Sequence, residues 1–376
     1  MLGSNFNRLE RWFHWLALEP APVRHLAFDL ECAFALPARR ARSEASSGSD
    51  AGPADGAVYV VGLARSGTTV LLRALDQCDL FRSPTYRDMP FVLAPNLWRL
   101  FSGSSRRETV PAERAHGDGI VVDVDSPEAF EEVFWRTFSR RTADTRCFGA
   151  EPPSPEALLA FADYRAVVAN PRMTSRGAAT SRRYLSKNNN NLVRLDALCA
   201  EPTATVLLVY RHPVATARSL FRQHRRFCAL QSDDRFIHDY MRWLAHHEFG
   251  LGHLPFCFAL PAMDRSLIPD DPNYWLDYWN AVYLHVLEKR ALRLRLVNHD
   301  TLRERPMEML DAILSTVGAR ADLAALAARI TPASPDDAST DEFRADLVAR
   351  SETIHRTLCA SSQNIAGAPM PVGGAV

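Results

Sequence analysis

One stretch of the chain decides its fold: Val58-Tyr59-Val60-Val61-Gly62-Leu63-Ala64-Arg65-Ser66-Gly67-Thr68-Thr69. The apolar, β-branched run that ends at Gly62 predicts a buried strand. The apolar residues from Val70 to Leu75 recur as on one face of a helix. The segment therefore predicts a strand, a tight loop and a helix, in that order.

The loop between Gly62 and Gly67 has the glycine spacing of a phosphate-binding loop, in which backbone N–H groups and a helix N-terminus hold phosphate oxygens. Thr68 stands where such loops carry a lysine, and the nearest cation is Arg65. A nucleoside-triphosphate hydrolase or kinase needs that lysine on the β- and γ-phosphates, usually together with magnesium. The loop therefore indicates a different nucleotide.

Composition bounds the class of protein. A chain of 376 residues, 47% hydrophobic and 23% charged, is expected to be a soluble globular protein. Acidic and basic residues balance at 44 each, so no overall field points to nucleic acid or to an anionic membrane. Any anion site must be local.

The cysteines and the N-terminus bear on the cellular compartment. The seven cysteines are scattered and include no C-x-x-C pair, which argues against a disulfide framework or a zinc site and predicts reduced, mostly buried thiols. Charged residues from Arg8 to Arg24 interrupt the N-terminal apolar residues before a spanning length is reached. We expect no signal peptide, no integral membrane segment and a cytoplasmic protein.

Pattern changes along the chain predict four regions. Residues 1–37 form an N-terminal helical extension, broken near Pro20, whose aromatic residues Trp12, Trp15, Phe28 and Phe34 are expected to pack on the main body. Residues 38–57 form a flexible linker, and 58–331 the main domain. Residues 332–376 carry a last helix and a disordered tail.

Further strands are predicted at Tyr184–Ser186, Thr205–Tyr210 and Leu294–Val297, with helices between them, a mainly helical region at 235–292 and a helix at Pro306–Val317. Strands that alternate with helices indicate an α/β fold: a three-layer, P-loop-like parallel sheet flanked by helices, here with helical insertions and the N-terminal extension. Ligands of such sheets bind beyond the carboxyl ends of the strands. The Arg65 loop, Lys187, and Arg211 with Ser219 each follow a predicted strand.

These segments resemble the sulfotransferase family that uses 3′-phosphoadenosine 5′-phosphosulfate (PAPS). Val60 to Thr69 resembles the family's 5′-phosphosulfate loop, and Leu207 to Ser219 resembles its 3′-phosphate element. Tyr184 to Asn188 and Leu294 to Leu302 are similar to two further family segments, in the same order. The Arg-Ser-Gly-Thr-Thr loop is closer to the bacterial and tyrosylprotein-type branch than to the cytosolic branch.

The resemblance implies roles for individual residues. PAPS would be bound by Arg65, Ser66, Gly67, Thr68, Thr69, Arg211 and Ser219, without a metal ion. Arg65 and Lys187 would stabilise the negative charge that grows on the leaving phosphate. Lys187 is one of only two lysines in the chain. Val70 replaces the tryptophan that stacks on adenine in the cytosolic branch, and Asn189 replaces that branch's catalytic histidine.

The general base stays open at this stage. Asp88 lies where the similar branch carries a carboxylate about two dozen residues beyond the loop, although Thr85 fits the alignment equally well. His116, in a Gly-rich turn, is the second candidate, and Glu128 and Glu131 are the third. A metal site at His246-His247-Glu248 is disfavoured, because adjacent residues of a helix point in different directions.

The sequence therefore predicts an enzyme that transfers a sulfuryl group from PAPS to a hydroxyl or amine of a small-molecule, carbohydrate or lipid-type acceptor. Two alternatives remain: a kinase-like P-loop phosphotransferase, and a non-catalytic nucleotide-binding scaffold with the same fold. The scaffold is distinguished from the enzyme by whether Arg65, Lys187, Arg211 and Ser219 converge on one cleft with a base.

Overall fold

The computed structural model of the chain describes residues 6–46, 56–102, 112–113, 121–122, 126–170, 182–289, 292–331 and 340–365. A five-stranded, fully parallel sheet lies at its centre, which confirms the predicted fold class. In spatial order the strands are β2 (Phe81–Arg82), β5 (Arg183–Lys187), β1 (Val58–Val61), β6 (Thr205–Tyr210) and β7 (Leu294–Asn298). Two short strands, β3 (Ala112–Glu113) and β4 (Val121–Val122), form a separate antiparallel pair.

The described helices surround this sheet and connect its strands. They are α1 (Arg8–Leu18), α2 (Ala21–Ser46), α3 (Thr68–Asp76), α4 (Pro95–Ser102), α5 (Glu131–Phe138), α6 (Pro155–Ala169), α7 (Leu195–Ala200), α8 (Pro213–Asp233), α9 (Arg235–Trp243), α10 (Pro272–Glu288), α11 (His299–Glu304), α12 (Pro306–Val317), α13 (Leu323–Ala327) and α14 (Ala345–Cys359).

Alternate residues of each strand enter opposite layers, as period-two geometry requires. Tyr59 and Val61 belong to one buried cluster, which includes residues of α5, α6, α8 and α10. Val58 and Val60 belong to a second cluster, with residues of α3 and α12. Burial on both faces explains the continuous apolar run of β1 and gives the predicted three layers.

The parallel register brings the predicted anion-binding segments to one edge of the sheet. Val60 of β1 is paired with Lys187 of β5, and Val61 with Leu208 of β6. Because the strands run in the same direction, the Gly62–Gly67 loop, Lys187 and Arg211 all follow carboxyl ends at that edge.

The N-terminal extension differs from its prediction in two ways. Helix α2 continues to Ser46, into the region predicted to be a flexible linker. On α1, the side that packs inward carries His14, Ala17 and Leu18. Trp12 and Trp15 are therefore 49% and 42% exposed, and the expectation that they pack on the main body is wrong.

The region 235–292 is less helical than predicted, because residues 244–271 between α9 and α10 contain only a short 3₁₀ helix, Leu260–Ala262. Helix α10 contains the predicted aromatic core residues, and Trp275 and Trp279 are fully buried. The non-helical segment before it carries residues of the site described below.

The prediction of uniformly reduced cysteines is corrected by a disulfide between Cys147 and Cys257, which are 110 residues apart. A pair so distant leaves no local sequence signal. The other five cysteines are thiols, and burial raises the pKa of Cys78 and Cys199 to about 11. Among the described residues, no helix has both the length and the apolar composition needed to cross a membrane.

Candidate active site

The loop after β1 has the backbone of an anion-binding turn. Gly67 has a φ of 100° and is followed directly by α3. A Cβ on Gly67 would lie 2.0 Å from the His299 ring, so no side chain fits there. Arg65 also adopts a left-handed φ of 69°, which is uncommon outside glycine and is typical of constrained functional loops. The first backbone N–H groups of α3 have no partners within the helix and can bind an anion.

Arg65 connects the two segments predicted to bind the donor. Its Nε donates a hydrogen bond of 3.0 Å to Ser219 Oγ, in α8. These residues are 154 positions apart in the chain. The loop after β1 and the helix after β6 therefore form one continuous polar surface.

Lys187 is held at the end of β5 by a buried polar network. Its side chain is only 8% exposed and lines the same cavity as Arg65. The next residue, Asn188, donates to Glu132 Oε2 at 2.8 Å and caps the 3₁₀ helix Asn189–Arg194. Arg194 donates to both oxygens of Glu132. The residues that follow Lys187 are thus anchored by a buried polar network.

Asn189 links the loop to the segment after α9. Thr68 Oγ1 donates to Asn189 Oδ1 at 3.3 Å, and Asn189 Nδ2 donates to Glu248 Oε1 at 3.1 Å. Glu248 Oε2 is buried and accepts no hydrogen bond from the described residues. This arrangement connects a carboxylate with one unpartnered oxygen to the phosphate-binding loop through a single side chain.

The cavity has two kinds of wall. Its polar wall includes Arg65, Thr68, Thr69, Lys187, Glu128 and Glu248. Its apolar wall includes Phe130, Phe227, Tyr240, Met241, Leu244 and Phe249. Cations and carboxylates on the polar wall, with an apolar surface beside them, suit an anionic donor and a less polar acceptor.

Arg211, at the end of β6, lies near this cavity but does not line it. Its Nε is 3.8 Å from Asp300 Oδ1, and Asp300 Oδ2 accepts from the backbone N–H of His212 at 2.6 Å. Burial, together with the positive charges of Arg211, Arg303 and Arg65, lowers the pKa of His299 to about 3. His299 is therefore neutral at pH 7, and the charge around it comes from arginines.

The other predicted cofactor-binding residue in the loop, Ser66, is fully buried, and its backbone N–H donates to Leu63 O at 3.2 Å. Ser219 is 4% exposed and contributes through Arg65. The structure thus brings Arg65, Thr68, Thr69 and Lys187 to one cavity, with Ser219 directly behind Arg65.

The candidate bases are placed very differently. Asp88 Oδ1 accepts from Arg99, and Oδ2 accepts from Thr85 N and Oγ1. Asp88 is 2% exposed and is not among the described residues that line the cavity. Glu131 accepts hydrogen bonds from Trp135, Tyr184 and Asn191 and is a buried structural group. His116 lies outside the described residues.

Glu128 does line the cavity, and it accepts hydrogen bonds from Tyr86 Oη at 2.8 Å and from Ala129 N at 2.9 Å. Glu248 also lines the cavity, and sequence reasoning did not include it among the candidate bases. The only sequence signal for Glu248 is the His246-His247-Glu248 run. That run was discounted because the segment was predicted to be helical, and adjacent residues of a helix point in different directions. Among the described residues, no three potential metal ligands form a group.

The chain is similar to the crystal structure of sulfotransferase STF9 from Mycobacterium avium, with 16% identity, 97% of this chain and 89% of that chain covered, and a TM-score of 0.48. It is also similar to sulfotransferase STF1 from Mycobacterium tuberculosis H37Rv, with 16% identity, coverage of 92% and 86%, and a TM-score of 0.44. No curated protein matches the chain.

A family model gives the assignment directly. The model described as "Sulfotransferase family" matches residues 57–254, which is more than half of the 376-residue chain. The matched range includes the loop after β1, Lys187, Arg211, Ser219 and Glu248. The chain belongs to the sulfotransferase family.

Proposed function

We propose that this protein transfers a sulfuryl group from PAPS to a hydroxyl or amine of a small acceptor. The observation that carries the proposal is the hydrogen bond from Arg65 Nε to Ser219 Oγ, because it joins the two segments that resemble the donor-binding elements. Lys187 and a carboxylate line the same cavity as Arg65. That convergence supports an enzyme over a non-catalytic scaffold.

The residues present fit the donor. Backbone N–H groups at the start of α3, the hydroxyls of Thr68 and Thr69, and Arg65 would hold its 5′ end. Arg211 and Ser219 would hold its 3′-phosphate, where Asp300 already neutralises part of the charge of Arg211. We expect no metal ion to be needed, because arginine, lysine and backbone donors supply the positive charge.

When bound, PAPS supplies a sulfuryl group whose bond to the 5′-phosphate breaks as the acceptor oxygen or nitrogen attacks the sulfur. Lys187 and Arg65 stabilise the negative charge left on the phosphate oxygen. Glu248 Oε2 takes the proton of the acceptor, and Asn189 holds Glu248 through Oε1. We prefer Glu248 to Asp88, because both oxygens of Asp88 are already occupied by donors away from the cavity.

Calorimetry with adenosine 3′,5′-bisphosphate tests the donor. We expect binding without magnesium, and we expect Arg211→Ala to weaken it by roughly 1.5–3 kcal/mol, as for loss of a charge-assisted hydrogen bond. Arg235→Ala is the matched control, since Arg235 is 92% exposed and lies outside the site. Absence of binding, or binding that requires magnesium, would favour a phosphotransferase or another nucleotide.

A further inference from the structure

A second cavity lies on the other side of the segment that carries Glu248. Residues 245 and 247 line this second cavity, and residues 244, 246 and 248 line the candidate active site. No described residue lines both cavities. Glu132 is the only described carboxylate of the second cavity. Its wall also carries five arginines: Arg136, Arg140, Arg141, Arg194 and Arg242.

Three of these arginines are paired. Arg194 is bound to Glu132, and both side chains are 3% exposed. Arg136 donates to the backbone oxygens of Leu18 and Trp243 and to Glu19, and Arg242 also pairs with Glu19. These interactions neutralise part of the charge and hold the wall in place.

Donors remain after this pairing. Arg194 Nε is buried and has no hydrogen-bond partner among the described residues, and the same is true of Ser139 Oγ. Arg141 lies over the Phe148 ring, 5.1 Å from its centre, and forms no ion pair with a described carboxylate. A buried donor without a partner is destabilising, and an acceptor in the cavity would relieve this.

The remaining charge is positive and does not depend on histidine. Burial, with a smaller contribution from Arg141, lowers the pKa of His247 to about 4, so this residue of the wall is neutral at pH 7. Arg140, next to Ser139, forms no ion pair with a described residue either. The ligand that suits this wall must accept several hydrogen bonds and carry negative charge.

We propose that the second cavity binds a small oxyanion, the phosphate or sulfate group of a small molecule, through Arg141, Arg194 and Ser139. The planar guanidinium groups match the oxygens of such a group. This site is separate from the donor site and does not depend on what the enzyme transfers.

The test is calorimetry with inorganic phosphate, in full-length protein whose donor site is saturated with adenosine 3′,5′-bisphosphate. We expect one phosphate to bind, and we expect Arg141→Gln and Ser139→Ala to weaken it, the former by about tenfold or more. Arg235→Gln removes the same charge from an exposed position and should leave phosphate binding unchanged. Sulfate, titrated in the same way, shows which oxyanion is preferred.

Two results would overturn the proposal: no phosphate binding once the donor site is filled, or equal affinities in the wild type and Arg141→Gln. Thermal unfolding of Arg141→Gln confirms that the variant is folded. If adenosine 3′,5′-bisphosphate itself fails to bind, the proposed function fails, and the Arg141→Gln comparison is made without it. The two proposals can therefore fail independently.

Discussion

Glu248 and Asp88 differ in which of their carboxylate oxygens accept hydrogen bonds. Glu248 has one oxygen held by Asn189 and the other facing no described donor. Asp88 has both oxygens bound, by Arg99 and by the Thr85 turn. Reactivity at this scale depends on which lone pairs the fold leaves unoccupied.

For Glu248→Gln we predict a fall in kcat of about 100-fold or more, the size expected for loss of a general base. Affinity for adenosine 3′,5′-bisphosphate should stay unchanged, because the glutamine amide retains an oxygen that can accept the hydrogen bond from Asn189. Steady-state sulfation assays and calorimetry measure the two effects. Glu128→Gln is the control in the same cavity, and a larger loss there would make Glu128 the base.

For Asp88→Asn we predict a structural defect instead. Asparagine cannot keep the ion pair with Arg99, whose Nη2 lies 2.6 Å from Asp88 Oδ1, and the free energy of unfolding should fall by about 1–3 kcal/mol. Urea denaturation measures this. Asp144→Asn, which breaks an exposed pair with Arg146, should change stability little. A stable Asp88→Asn protein with a hundredfold loss of kcat would restore Asp88 as the base.

At the scale of elements, the loop between β1 and α3 depends on its contact with α11. Gly67 adopts a left-handed φ, and the His299 ring occupies the space where a Cβ would lie. Helix α11 thus limits the loop to a conformation in which the N-terminus of α3 stays open to an anion.

Gly67→Ala should therefore lower both stability and donor affinity. Backbone strain alone costs about 1–3 kcal/mol, and the overlap with His299 adds to it. Thermal unfolding and calorimetry with adenosine 3′,5′-bisphosphate are the measurements. Gly252→Ala is the matched control, because a Cβ there would lie 3.6 Å from the nearest atom of His238, an ordinary contact. Equal effects of the two substitutions would contradict the argument.

For the whole molecule, four buried or half-buried histidines make stability depend on pH. Burial is the main cause that lowers the pKa of His253 and His299 to about 3 and that of His247 and His355 to about 4, all from 6.5. Below pH 6.5 the unfolded chain binds protons that the folded protein does not. Their contribution to stability is therefore complete above pH 6.5 and is lost as the pH falls towards 4.

Each of these histidines should reduce the free energy of unfolding by up to about 1.4 kcal/mol per pH unit below 6.5. Urea denaturation at pH 7.5 and 5.5 measures their sum, together with that of His14, His224 and His285, whose pKa burial also lowers. His253→Gln should reduce the slope of the free energy of unfolding against pH by the contribution of one proton. His238→Gln, at a position that is 34% exposed, serves as the comparison. If the slope is the same in His253→Gln and the wild type, burial of His253 does not control its protonation.

The sequence by itself determined the α/β fold and the segments of the site that lie at the carboxyl ends of the parallel strands. The strand at Thr205–Tyr210 and the helix at Pro306–Val317 agree with the structure residue for residue. Each of these elements is recognised within its own short segment, from the periodicity of the apolar residues and from the turn residues that flank them. The predicted convergence of Arg65, Lys187, Arg211 and Ser219 rests on the geometry of parallel strands. The structure brings Arg65 and Lys187 to one cavity with Ser219 bonded to Arg65, whereas Arg211 does not line that cavity.

Only the tertiary structure decided which side chains meet across long stretches of chain. Asn189 and Glu248 are 59 residues apart, and Cys147 and Cys257 are 110 apart. The outward position of Trp12 depends in the same way on which side of α1 finds a partner. Local sequence patterns do not predict such contacts. The contacts form only when helices and strands pack together, exclude water and so determine which distant side chains are neighbours.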